Sequence, residues 1–253
     1  VLARTKIDQN GGEVREMAKM KYSIEDQIAR ITLDDGKVNA MDWEFFSELN
    51  ESLDHAQADK AAVLIFSGRP GIFSAGLDLK LLPTQNLPEQ FRFQKAFATT
   101  MLRVLLFPIP TIAAYKGHSV AGGFILSCAC DRFIVQDGPF LMQMNEVVNG
   151  MMIPSWISLI CRSSIPRRWW REVLLMARPF TPREAFERGI PDTLIDESGD
   201  VLAAAYEVAR ELKKASGPGY AVTKRTLFKA EADHVIEILE KELVNWLLSI
   251  GIQ

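Results

Sequence analysis

Two glycine-bearing segments and one carboxylate are the residues here that could do chemistry together. The segments are Phe73-Ser74-Ala75-Gly76-Leu77-Asp78-Leu79 and Gly117-His118-Ser119-Val120-Ala121-Gly122-Gly123. The carboxylate is Glu146, in Met144-Asn145-Glu146-Val147-Val148-Asn149-Gly150. A glycine turn after a strand lets bare backbone N–H groups approach a ligand closely. Gly122-Gly123 also opens an apolar run that reads as a helix. The first amides of a helix lack internal acceptors, and the helix dipole favours an anion there. Glu146 sits among Met and Val, where a carboxylate has a raised pKa and serves well as a base. Two amides facing one oxyanion, beside such a base, are the parts that enolate chemistry needs. Taken singly, each also fits plain structure: a turn, a helix–strand packing contact, a loop glutamate. Neither phosphate-binding pattern, G-x-x-x-x-G-K-[ST] or G-x-G-x-x-G, occurs.

The elements that must position these groups follow from periodicity. Tyr22 to Leu33 alternates in part and reads as a strand or a hairpin around Glu25-Asp26. Asp42 to Ala56 has helical spacing through Phe45, Phe46, Leu49 and Leu53, with Asp42 as N-cap. Ala61–Phe66, Thr111–Tyr115 and Phe133–Val135 are short apolar strands. Residues 88–106 are helical and stopped by Pro108 and Pro110. Gly122–Cys130 is apolar on nearly every side and reads as a buried helix. From Pro154 onward the pattern is mainly helical, with segments near 155–162, 165–176, 181–187, 199–215, 219–230 and 233–249. Thr181-Pro182-Arg183-Glu184 carries a helix-start signature. Strand–helix alternation followed by helices alone gives an α/β core with a helical C-terminal region.

Composition narrows the function. The chain has 253 residues, 48% hydrophobic, with a net charge of −3. That suits one large domain, or one domain plus a small helical appendage, with a substantial core, and leaves no basic stripe for nucleic acid. The cysteines, Cys128, Cys130 and Cys161, read as reduced buried thiols, and the three histidines are scattered, so no metal site is expected. No apolar run approaches the ~18 residues of a membrane span. A cytoplasmic protein is the expectation. Residues 1–20 are polar and aperiodic, and read as a flexible N-terminal extension or as sequence upstream of a start at Met20. The core is expected over 21–198. A C-terminal helical region for oligomer contacts is expected over 199–253, where Trp246, Leu247 and Leu248 need a surface to cover them, either their own core or another subunit.

In this order and separation, Phe73-Ser74-Ala75-Gly76-Leu77-Asp78-Leu79 and Gly117-x-x-x-Ala121-Gly122-Gly123 resemble the crotonase (enoyl-CoA hydratase/isomerase) superfamily. Lys37-Val38-Asn39-Ala40-Met41, Phe180-Thr181-Pro182-Arg183-Glu184-Ala185 and Gly189-Ile190-Pro191-Asp192 resemble further stretches of it, so the likeness covers about residues 20–250. It implies a spiral of repeated β-β-α units. It implies an oxyanion hole from the Leu77 and Gly122 amides, and an acyl-CoA thioester bound along Ala40, Ser74, Ala75, Gly76, Asp78, Gly123 and Asn145. It implies Glu146 as the catalytic acid/base, no cofactor beyond the CoA of the substrate, and a homotrimer or dimer of trimers.

One departure from the hydratases of that superfamily discriminates among its reactions. They carry two glutamates; the earlier position here is Ile125, the later one Glu146. Adding water across a double bond is a task for two carboxylates, whereas a 1,3-proton shift needs one. Asn145-Glu146-Val147-Val148-Asn149-Gly150 and Ile153-Pro154-Ser155-Trp156 are similar to stretches of 3,2-trans-enoyl-CoA isomerases. The resemblance thus implies isomerisation of 3-enoyl-CoA to 2-trans-enoyl-CoA in fatty-acid β-oxidation. The alternatives are a hydratase with an unrecognised second acid, a thioester hydrolase or racemase-like enzyme, and a non-catalytic acyl-CoA-binding protein. Met142, Met144, Met151, Met152 and Trp156 are candidates for an acyl pocket or for plain core. Lys80, Arg69 and Lys116 could meet CoA phosphates or face solvent, and His118 reads as structural.

Overall fold

The computed structural model describes residues 4–7, 13–81 and 85–249. The strands, in chain order, are β1 (Arg4–Ile7), β2 (Glu13–Glu16), β3 (Met20–Glu25), β4 (Ile28–Leu33), β5 (Ala40–Met41), β6 (Val63–Gly68), β7 (Gly71–Ser74), β8 (Gly76–Leu77), β9 (Thr111–Tyr115), β10 (Gly117–Val120), β11 (Arg132–Gln136), β12 (Met142–Gln143) and β13 (Thr193–Ile195). The helices are α1 (Trp43–Ala58), α2 (Leu87–Leu105), α3 (Gly122–Ala129), α4 (Ser155–Ser164), α5 (Pro182–Glu187), α6 (Val201–Lys213) and α7 (Pro218–Ser249).

The large sheet has the order β1-β2-β3-β4-β6-β9-β11-β13. Pairing is antiparallel from β1 to β4 and parallel from β4 onward. The β3–β4 hairpin turns at Asp26 and Gln27, both in the left-handed region, as a two-residue primed turn requires. The parallel strands are buried on both faces, which is why β6 and β9 read as continuous apolar runs. Val63, Ile65, Ile112 and Ala114 pack against Val201, Ala205 and Ala209 of α6. Their alternates Leu64, Phe66, Ala113 and Tyr115 face the main core with α1, α2, α3 and α4.

A second, small parallel sheet has the order β12-β10-β7, and β5 pairs with β8. Each chain unit places one strand in the large sheet and the next in a small one: β6 then β7, β9 then β10, β11 then β12. A helix follows, and the unit repeats. This is the expected spiral of β-β-α units with a helical C-terminal region.

Several expectations change. Residues 13–16, expected in a flexible extension, form β2 in register with β3. Glu48 holds the following loop by accepting from the Ala18 and Lys19 amides at 2.9 Å each. Residues 165–176 form no α-helix. Arg167–Trp169 is a 3-10 turn and Arg171–Leu175 a π turn, after Pro166 has interrupted the helical ladder. The two helices expected at 219–230 and 233–249 are one, α7. Nothing between them breaks a helix, and its buried positions Lys224, Ala232, Val235, Leu239 and Leu243 keep one face. That face packs on α2 and α4 of the same chain. Trp246 lines a cavity of its own chain. The side chains of Leu247 and Leu248 lie outside the described residues.

Candidate active site

The three candidate groups come together because the small sheet delivers all of them. Its strands are parallel, so their C-terminal ends lie on one side. After β7 the chain enters Gly76-Leu77, after β10 Ala121-Gly122, and after β12 Asn145-Glu146. Register holds them side by side. Ser119 pairs with Ser74 and Val120 with Gln143, and the Ala121 amide donates to the Gln143 carbonyl at 2.8 Å.

The first turn is braced from below. Ser74, fully buried, donates to the Asn39 carbonyl at 2.7 Å and accepts from the Gly76 amide at 3.0 Å. Asn39 donates to the Leu33 and Phe73 carbonyls at 3.0 and 2.9 Å, tying the end of β4 to β7. Gly76 has φ +84°, and a Cβ there would lie 2.7 Å from the Ala121 Cβ and 2.8 Å from the Gly122 nitrogen. Only glycine allows the two turns to approach this closely. Gly122 is the first residue of α3, so its amide has no acceptor inside the helix. A Cβ on Gly122 would lie 2.7 Å from the Met41 sulfur.

Glu146 precedes a 3-10 turn, Val147–Asn149, which Gly150 ends in the left-handed region. The Asn149 and Met151 amides donate to the Glu146 carbonyl at 3.0 and 2.9 Å and fix the backbone. The side chain is 6% exposed. No hydrogen-bond partner meets its Oε2 among the described residues. Burial disfavours the charged form and pushes the carboxyl from an ordinary 4.5 up to about 7. At neutral pH such a group takes and returns a proton with little bias.

A cleft of about 150 Å³ joins Leu77, Gly122 and Glu146. Ala75 and Asn145 also line it, with Met151, Met152, Pro154 and Ile157 as apolar wall. Glu146 is the one carboxylate on that wall among the described residues. The other expected binding residues stand behind it. Ser74 and Gly76 shape the first turn, and Gly123 packs against Ser74. Ala40 pairs with Gly76, and Asp78 caps its own turn by accepting from the Lys80 amide at 3.0 Å. Met142, Met144 and Trp156 are core. His118 Nδ1 accepts from the Leu141 amide at 2.9 Å, a structural role. Ile125 is fully buried in the core.

Sequence reasoning missed half of the wall. Leu87, Gln90, Phe91, Gln94 and Phe97 from α2, and Leu243 and Trp246 from α7, close the cleft. A signal for α2 existed. Gln90, Gln94 and Phe97 follow the i, i+4, i+7 spacing of one helix face, so two amides share a stripe with a buried ring. In α7, Trp246 reads as a residue that needs a covering surface, and nothing marks it or Leu243 as cleft wall.

Fold and site together define a crotonase-type enzyme, a β-β-α spiral with two glycine turns beside a buried carboxylate. The chain belongs to the enoyl-CoA hydratase/isomerase family, whose model matches residues 23–246. It is 30% identical over 222 residues to the mitochondrial enoyl-CoA delta isomerase 1 of Rattus norvegicus, covering 87% of this chain and 76% of that one. It is 25% identical over 230 residues to 4-chlorobenzoyl coenzyme A dehalogenase-1 of an Arthrobacter species, covering 85% and 79%. The crystal structure of human mitochondrial delta3-delta2-enoyl-CoA isomerase superposes with a TM-score of 0.83 at 26% identity, covering 92% of each chain. Among the described residues no helix is long and apolar enough to cross a membrane.

Proposed function

We propose that this chain converts 3-enoyl-CoA into 2-trans-enoyl-CoA, the step that brings 3-unsaturated acyl chains into β-oxidation. The Glu146 carboxylate removes a proton from C2 of the thioester. The C2–H electron pair forms a C1–C2 double bond while the carbonyl π pair moves to the thioester oxygen. The protonated Glu146 then returns the proton to C4: the C3–C4 π pair forms the C4–H bond, the C1–C2 pair becomes the new C2–C3 double bond and the oxygen pair restores the carbonyl. Between the two transfers the charge rests on the thioester oxygen of a dienolate, which the Leu77 and Gly122 amides receive. Loss of one such donor typically costs ~3–4 kcal/mol of transition-state stabilisation. CoA enters as part of the substrate and no further cofactor takes part. The observation that carries this reading is a single buried carboxylate on the cleft wall whose Oε2 has no hydrogen-bond partner among the described residues, with Ile125 where hydratases hold their other acid. Identity to delta isomerases at 30% supports it.

A homotrimer or dimer of trimers is proposed as the assembly, and Val222 and Leu227, exposed on α7, are apolar residues it would cover. The test of the reaction is turnover of a 3-enoyl-CoA by the wild type and by Glu146→Gln, with products separated chromatographically. The 2-enoyl thioester from the wild type alone is the expected result. 3-Hydroxyacyl-CoA or free CoA as the product would replace isomerisation by hydration or thioester hydrolysis. Equal rates in both proteins would remove Glu146 from the chemistry.

A further inference from the structure

The cleft wall is apolar from Leu77 through Phe97, Met151, Met152 and Ile157 to Leu243, except at a few amides and Glu146. Asn145 lies beside the base. Gln90 belongs to the start of α2, its Nε2 donating to the Gln85 carbonyl at 3.1 Å. Gln94 differs from Gln90 in its pairing and from Asn145 in its place on α2. Its side chain faces the cleft half-buried, and no hydrogen-bond partner meets it among the described residues. One turn further along α2, the Phe97 ring lies 3.3 Å from where a Gly122 Cβ would stand. Phe97 therefore marks the reacting end of the cleft. Gln94 is three residues away, about 4.5 Å along the helix axis.

An alkyl chain crossing this wall would take water from the Gln94 amide and return nothing, which is unfavourable. A hydroxyl on the acyl chain would meet both the donor and the acceptor of that amide. With C2 to C4 held at Glu146, the next positions of the chain along the wall are C5 and C6. We propose that Gln94 is a specificity residue that selects acyl chains bearing a hydroxyl at C5 or C6. This rests on the acyl-thioester reading above and not on the isomerase step itself.

Equilibrium binding tests it without turnover. Hexanoyl-CoA, 5-hydroxyhexanoyl-CoA and 6-hydroxyhexanoyl-CoA are titrated calorimetrically into the wild type and into Gln94→Leu. One hydroxylated ester is expected to bind the wild type about tenfold more tightly than hexanoyl-CoA, the ratio that one well-formed hydrogen bond provides. Gln94→Leu is expected to reverse that order. Equal or weaker binding of both hydroxylated esters by the wild type overturns the proposal. So does an equal loss of all three in Gln94→Leu, which would put the amide on the part of CoA they share. Hydroxyl preference without turnover of any 3-enoyl-CoA would uphold Gln94 and refute the isomerase reading alone. No binding of any ester would overturn both.

Discussion

The buried Glu146 carboxylate opposes folding whenever it is charged, and the size of that opposition can be worked out. Its carboxyl is at about 7 in the folded chain against an ordinary 4.5. At 1.36 kcal/mol per unit, this separation corresponds to about 3 kcal/mol. The folded form binds the proton more tightly than the unfolded form, so stability falls as pH rises. Below pH 4.5 both states are protonated and the penalty is absent. It grows between 4.5 and 7 and is complete above 7. Glu146→Gln cannot ionise. Its stability relative to the wild type should rise by about 3 kcal/mol between pH 4.5 and pH 8, whatever constant offset the amide introduces. Urea unfolding of both proteins at several pH values and one protein concentration, followed by tryptophan fluorescence, measures this difference. A difference that stays constant with pH would mean that the carboxylate is solvated or paired in the folded chain. The physical basis for Glu146 as a base near neutrality would then be gone.

Other outcomes follow from the same geometry. The kcat/KM for a 3-enoyl-CoA should rise with pH through about 7 and then level, because the base must be ionised; a profile flat from pH 5 to 9 would contradict it. Gly76→Ala puts a methyl 2.8 Å from the Gly122 nitrogen at a φ that disfavours side chains. A fall in kcat of about 10² or more is expected, the loss typical of one misplaced oxyanion donor, and unchanged kcat in steady-state assays would refute it. Lys224, 4% exposed, meets Asp131 at 2.7 Å, and Asp131 also accepts from the Thr111 amide and hydroxyl. Lys224→Ala should destabilise the fold by about 3 kcal/mol in urea melts, since it leaves a carboxylate without its cation.

How much was legible depended on the length of each element. The long apolar strands and amphipathic helices were readable, and Asp42 caps α1 as expected, accepting from the Phe45 amide at 2.9 Å. The Thr181–Glu184 capping box is also present. The short strands outside the large sheet were not readable. β7, β8 and β10 contain glycines, β12 has two residues, and such segments have too few alternations to show a period. They nonetheless arrange the site, because pairing with neighbours, not local propensity, makes them strands. β13 was missed for the same reason: three residues that owe their form to β11. Glu146 and the two turns, singled out by residue type together with the family resemblance, line one cleft, whereas its α2 and α7 walls were not read from the sequence. Membership of a wall is set by tertiary packing, and a leucine in α7 carries no mark of whether it faces core or cleft.

The placement of α7 has a consequence for the order in which the enzyme becomes able to act. The strands and turns that carry Leu77, Gly122 and Glu146 all precede residue 147, yet Leu243 and Trp246 supply part of the cleft wall. Synthesis runs from the N-terminus, so a nascent chain holds the two glycine turns and Glu146 well before it holds the enclosure around them. Until α7 docks, the cleft lacks the part of its wall that Leu243 and Trp246 supply. Completion of the last helix therefore closes the cleft, and a chain truncated before Leu243 would lack that enclosure.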